Sequence, residues 1–113
     1  MHELSIATSL VDIAVRNAAE HGAQRVTRLH LRIGALSGIE PDALTFSFPI
    51  AARDTLCEDA ELVIERVAAD ATCPACGKSS QVTEATAPCP HCGSWPLGLT
   101  GGREMTLDSL EVD

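Results

Sequence analysis

Two groups of residues in this chain are of the right type and spacing to hold metal. The first reads Cys73-Pro74-Ala75-Cys76-Gly77, then, after twelve residues from Cys76, Cys89-Pro90-His91-Cys92-Gly93. Each Cys-x-x-Cys turn presents two sulfurs on one side. Two such turns supply the four thiolates that a tetrahedral Zn²⁺ ion takes in a structural site. The Gly after each second Cys permits the positive φ such a turn needs, and nearby backbone N–H groups can donate to the sulfurs and balance their charge. Four thiolates leave no open position, so a catalytic zinc is disfavoured. Iron is an alternative, because soft thiolates also suit it, and a disulfide pair is another. His91 reads as a solvent-facing residue within the second turn or as a spare ligand. The fifth cysteine, Cys57, stands alone and reads as a small buried hydrophobe.

The second group is the N-terminal Met1-His2-Glu3. Methionine aminopeptidases generally require a small second residue, so His2 should keep Met1 in place. The Met1 α-amino group, the deprotonated His2 amide nitrogen and His2 Nδ1 can then chelate one ion in a plane. That donor set suits square-planar Ni²⁺ or Cu²⁺. It leaves a fourth in-plane position open, as an exchangeable metal requires. Glu3, Glu40, His91, water or a partner's side chain are candidates for that position. The opposing reading of His2 is a mobile terminal residue. His21 reads as a helix-end residue and His30 as part of the polar face of a strand.

Several elements must position these donors. Residues 4–21 show an apolar stripe at Ala7, Leu10, Val11, Ala14 and Ala18, widened by Ile6 and Ile13, and predict an amphipathic helix that stops at Gly22. Residues 25–33 alternate, with Leu29, Leu31 and Ile33 on one face and Arg28, His30 and Arg32 on the other, which predicts a half-buried strand. After a loop over 34–38, Glu40-Pro41-Asp42 opens a second helix. Leu44, Phe46 and Phe48 are expected to face inward there, and Pro49 is expected to kink or end the helix. Residues 61–67 and 104–112 predict two more strands. The apolar phase of the last one flips near Ser109, which predicts a β-bulge.

Composition changes between those two strands. Residues 70–101 hold four of the five Cys, four of the six Pro and half of the eight Gly. They have few large apolar residues, so metal binding would supply the folding free energy this segment lacks. The expected architecture is α+β: two helices packed on a three-stranded sheet, with a small zinc-ribbon-like insertion carrying the four Cys. The expected division is 1–69, completed by the returning strand at 102–113, with 70–101 as the zinc-binding part.

Charge narrows the partners. The 113 residues carry 16 Asp and Glu against 8 Lys and Arg, for a net charge of −8. Nucleic-acid contact needs a basic patch and an anionic membrane attracts one; neither partner is expected. The longest uncharged stretch, 85–102, is full of Pro, Gly and Cys and predicts no transmembrane helix. The N-terminus lacks a basic n-region, so the expected location is the cytoplasm, where thiols stay reduced and bind metal rather than each other. No phosphate loop or His-Glu protease motif appears, and no enzymatic activity is expected. One function consistent with the cysteines alone is a zinc-ribbon adaptor for protein contact, and another is a small iron electron carrier.

Met1-His2-Glu3-Leu4-Ser5, Gly34-Ala35-Leu36-Ser37-Gly38-Ile39-Glu40-Pro41, Ala60-Glu61-Leu62 and the paired CPxCG turns together resemble the hydrogenase nickel-incorporation proteins of the HypA/HybF family. The resemblance spans nearly the whole chain, in order. It implies a nickel metallochaperone that holds transferable Ni²⁺ at Met1, His2 and Glu3 and structural Zn²⁺ at Cys73, Cys76, Cys89 and Cys92. It implies a HypB-type GTPase and the precursor of the [NiFe]-hydrogenase large subunit as partners, with urease maturation served by some relatives. Glu40 carries over as a secondary nickel ligand or a partner contact. Monomer and homodimer are both compatible with it. Relatives usually continue the helix where this chain has Pro49. In some relatives a His follows such a turn; here the positions after Gly77 and Gly93 are Lys78 and Ser94, and the only His within a turn is His91.

Overall fold

A computed structural model of the chain describes residues 2–113. Helix α1 spans Glu3–Glu20 and buries Ala7, Leu10, Val11, Ala14 and Ala18, the five-residue stripe its periodicity predicts. Ile13, expected to widen that stripe, is exposed. The helix ends at His21, whose Nδ1 lies 2.8 Å from the Asn17 carbonyl. Gly22 follows with φ +68°, which glycine adopts at little cost.

Strand β1, Val26–Gly34, forms the middle of the first sheet. It pairs in parallel with β2, Glu61–Val67, and antiparallel with the last strand, which covers Met105–Val112. Helix α2, Pro41–Ala52, connects β1 to β2. One sheet face carries Leu29, Leu31 and Ile33, all buried beneath the helices. The opposite face is a ladder of charge: Arg28 bonds to Glu61 and Glu111, His30 to Glu111, and Arg32 to Asp108. The period-2 alternation thus separates an apolar core from a solvated ionic face. Between Leu31 and His30 the register of the last strand slips by one residue, leaving Asp108 as the extra residue of a bulge. The phase flip near Ser109 has this cause.

Of the two expectations for α2, one fails and the other narrows. Pro49 does not end the helix, which runs three residues beyond it. Pro49 is exposed, so the Thr45 carbonyl, which its missing N–H cannot reach, lies on the solvent side and water can satisfy it. Phe46 does not face inward; it is 78% exposed. At 100° per residue it falls opposite the face shared by Leu44 and Phe48, both fully or nearly fully buried.

The cysteine segment holds a second three-stranded sheet that the sequence reading does not anticipate. Strand β3, Ala69–Thr72, lies between β4, Ser79–Val82, and β5, Gly98–Thr100, antiparallel to both. In chain order the returning strand Met105–Val112 is therefore β6. The second core is small: Ala69, Ala71 and Val82, with Leu36, Leu97 and Leu99 against them. Leu36 comes from the loop after β1, so that loop touches both sheets. The amides of Gly34, Ala35 and Leu36 donate to the carbonyls of Glu104, Val67 and Gly102 at 2.7, 2.8 and 2.6 Å. A Cβ on Gly34 would meet the Gly102 carbonyl oxygen at 2.2 Å, so this crossing admits only glycine. The result is an elongated molecule, 55 × 24 × 15 Å.

Candidate metal centres

The first Cys-x-x-Cys turn is the tip of the β3–β4 hairpin. The Cys73 amide donates to the Lys78 carbonyl at 3.0 Å, and the Gly77 amide to the Cys73 carbonyl at 2.8 Å. The second turn repeats the pattern. The Cys89 amide donates to the Ser94 carbonyl and the Gly93 amide to the Cys89 carbonyl, both at 2.8 Å. Gly77 and Gly93 have φ of +74° and +78°, the left-handed conformation expected of them. Each turn aims a backbone amide at its first sulfur: Cys76 N–H at Cys73 Sγ and His91 N–H at Cys89 Sγ, both 3.4 Å. The two turns share their backbone bonds and differ in which amide reaches the sulfur, three residues on in the first and two in the second.

The two turns face one another. The Sγ atoms of Cys73, Cys76, Cys89 and Cys92 all lie within 4.8 Å of one another. The contacts across the pair are 3.6 Å, Cys73 to Cys92, and 3.7 Å, Cys76 to Cys89. Four sulfurs at about 2.3 Å from a central Zn²⁺ would be separated by roughly 3.8 Å, the edge of that tetrahedron. The donor set and the spacing therefore fit a four-coordinate metal, and all five cysteines are free thiols rather than disulfides. Cys73 and Cys89 are buried; Cys76 and Cys92 face solvent, and His91 is exposed beside them.

The sulfurs differ in basicity. The Ser94 hydroxyl and amide, with help from Cys73, hold the Cys92 thiol down at about 6. The Cys76 thiol is pulled down by the Lys78 amide, but partial desolvation and the three neighbouring thiols together push it up to about 11. For Cys89 burial acts upward, and the amides of Cys92 and His91 outweigh it, leaving the thiol below its ordinary value. Ser94 is thus a contributor that sequence reading passes over, although its place directly after Cys-x-x-Cys-Gly was the available clue. Cys57 is fully buried in the main core, and burial raises its thiol, as an inert core cysteine requires.

At the other candidate centre, Met1 lies outside the described residues. His2 is exposed at the N-cap position of α1, where its carbonyl accepts the Ile6 amide at 3.1 Å. Glu40 holds the equivalent place on α2, its carbonyl accepting the Leu44 amide at 3.0 Å. The two helix starts are tied together, because Glu3 Oε2 accepts the Glu40 amide at 3.3 Å. So the fold brings Glu3 and Glu40 together, with Asp42 in the first turn of α2. Helix N-termini carry partial positive charge that repels a cation, and carboxylates here offset it. His91 belongs to the cysteine end and is not part of this cluster.

No described helix is long and apolar enough to cross a membrane. The family model for hydrogenase/urease nickel incorporation, the HypA metallochaperones, matches residues 1–112. The hydrogenase maturation factor HypA of Chlorobium limicola is 47% identical over 113 residues, covering all of this chain and 97% of the relative. That of Chloroflexus aggregans is 48% identical over 119 aligned residues, covering 99% of each chain. The solution structure of the nickel metallochaperone HypA from Helicobacter pylori superposes with a TM-score of 0.66 at 28% identity, covering 99% of this chain and 97% of that one. With a match across essentially its full length, a shared fold and a four-cysteine metal site, this chain belongs to the HypA family of hydrogenase maturation metallochaperones.

Proposed function

We propose that the protein binds one Ni²⁺ at its N-terminus and passes it, by ligand exchange, toward the precursor of a [NiFe]-hydrogenase large subunit. The Met1 amine, the His2 amide nitrogen and His2 Nδ1 form the planar chelate. The open fourth position goes to an oxygen donor or to the recipient. The observation that carries this reading is the exposed His2 at the cap of α1, next in sequence to Glu3, whose carboxylate reaches the Glu40 amide. His2 is the cap of an 18-residue helix, and Glu3 in the first turn ties that helix start to the start of α2. Transfer begins when a recipient donor enters the open position, and the chelate then unwinds one ring at a time.

In this reading the four cysteines hold Zn²⁺, which staples the second sheet and takes no part in transfer. Residues 70–101 are the zinc-binding part, and 1–69 with 102–113 the nickel-binding part. The protein is a carrier rather than an enzyme, and a HypB-type GTPase is its partner in delivery. The same chemistry would serve urease where a urease is present.

Transfer tests the proposal. Protein loaded with one equivalent of Ni²⁺ is mixed with the GTPase and the large-subunit precursor, and nickel in the precursor is followed after separation. Faster loading than from the same amount of free, buffered Ni²⁺ is expected. Equal loading from both sources would overturn delivery.

A further inference from the structure

The chain has only three aromatic residues, and two of them are exposed: Trp95 at 59% and Phe46 at 78%. Phe46 is the more informative. It lies one helical turn from Ile50, itself 53% exposed, and Pro49 is exposed between them. The solvent face of α2 is therefore apolar over its second half, at Phe46, Pro49 and Ile50, beyond the exposed Asp42 and Thr45. Residues 43–52 contain no charged side chain, although 21% of the whole chain is charged. Contiguous apolar surface on a small soluble domain marks contact with something else.

The flanks say what kind of partner fits. Around this uncharged stretch lie Glu40 and Asp42 on one side and Asp54, Glu58 and Asp59 on the other, against the single base Arg53. An apolar strip with an acidic rim calls for an apolar cleft bordered by Lys or Arg. A second copy of this chain offers the opposite: its own net charge is −8, and like rims would face each other. The strip also adjoins the proposed delivery end. Phe46 is six residue steps beyond Glu40, about 9 Å along the helix axis.

We propose that the exposed face of α2, anchored by Phe46 and Ile50, is the surface on which the nickel-handling partner protein docks. The partner binds through a basic-rimmed apolar cleft, which brings its own metal donors to the Glu3–Glu40 end. Aromatic anchors beside a polar rim are the usual carriers of binding free energy at protein interfaces, and an anchor next to the ligands fixes where the exchange occurs. This inference rests on the nickel-delivery reading above.

The test compares the full zinc-loaded chain with its Phe46→Ala/Ile50→Ala variant and with Ile13→Ala, an exposed apolar residue of α1, as control. Each is titrated with the purified HypB-type GTPase and, separately, with the large-subunit precursor. Nickel stoichiometry is measured on the same samples. The expected result is unchanged nickel binding in all three, with partner affinity about tenfold or more weaker in the double variant only. Wild-type affinity should also fall as salt rises. Unchanged partner affinity in the double variant, or no measurable binding of either partner by wild type, would overturn the inference. So would a concentration-dependent dimer of wild type that the double variant abolishes, since the strip would then join two copies. Failure of wild type to bind nickel would instead defeat the delivery reading, and is read from the same samples.

Discussion

The Glu3 carboxylate accepts the backbone N–H of Glu40 at 3.3 Å, joining the first turn of α1 to the cap of α2 across 37 residues of chain. Neither helix has a side-chain cap bond from its own N-cap residue. Glu3 therefore serves α2 as a cap supplied from a different helix. Replacing Glu3 by Ala should cost about 1 kcal/mol in denaturant unfolding, because it frees that amide. Glu40→Gln should cost far less, since the donor is backbone. Equal losses in the two variants would contradict this account of the tie.

The ionic face of the first sheet predicts a pH dependence. Glu111 Oε2 lies 2.5 Å from His30 Nε2, and Oε1 lies 3.1 Å from Arg28. The His30 bond first, and then Arg28, hold the Glu111 carboxyl below its ordinary value of 4.5, while burial opposes them. Asp108 is likewise held down, by Arg32 and then Thr106. A carboxylate whose pKa falls on folding binds fewer protons in the native state. Its contribution is complete above the unfolded value and is lost as pH drops through the lowered folded value. Stability of the wild type should therefore fall with acid below pH 4.5, and the Glu111→Gln variant should show a shallower fall over that range. Parallel curves for the two proteins would exclude Glu111 from the effect.

Metal removal should separate the two sheets. The second sheet buries only Ala69, Ala71 and Val82 fully or nearly so, too little to fold unaided. Treatment with a strong chelator should collapse the amide NMR signals of residues 69–100 into the narrow range of an unfolded chain. Those of α1 and α2 should persist, because their core is independent of the cysteine tetrad. Loss of the helical signals on chelation would show instead that the metal holds the whole molecule.

Pro49 offers a stabilising change. It sits inside α2 and its ring is exposed. Pro49→Ala restores the N–H that the Thr45 carbonyl lacks and should raise stability by about 1 kcal/mol. That is less than the full interior penalty, since the surrounding helix has already adjusted to the ring. A loss of stability in thermal or urea unfolding would mean that the ring itself makes a needed contact.

Much of this was legible in the sequence. The five buried residues of α1, the polar and apolar faces of β1, and the bulge in β6 follow from periodicity, because burial on one face imposes it. The cysteine tetrad is legible because spacing and the trailing glycines dictate the turn. Less visible were features set by tertiary context. Pro49 argues against helix locally, but an exposed proline costs a bond that water can replace. Phe46 reads as core by residue type alone, while its angular position relative to Leu44 and Phe48 places it outside. The β3–β4–β5 sheet was hidden because its strands are three or four residues long and its core is mostly alanine. The Glu3–Glu40 bond joins residues whose proximity only the packed helices create.

Nickel titration decides whether the N-terminus holds the metal. Zinc-loaded protein with a mass-verified free Met1 amine, tagged only at its C-terminus, is titrated beside His2→Ala. One Ni²⁺ per chain is expected in the wild type, with binding that weakens as pH falls, because protons compete for the amide and imidazole nitrogens. His2→Ala should lose that nickel and keep its zinc. Retained nickel affinity in His2→Ala would contradict the claim.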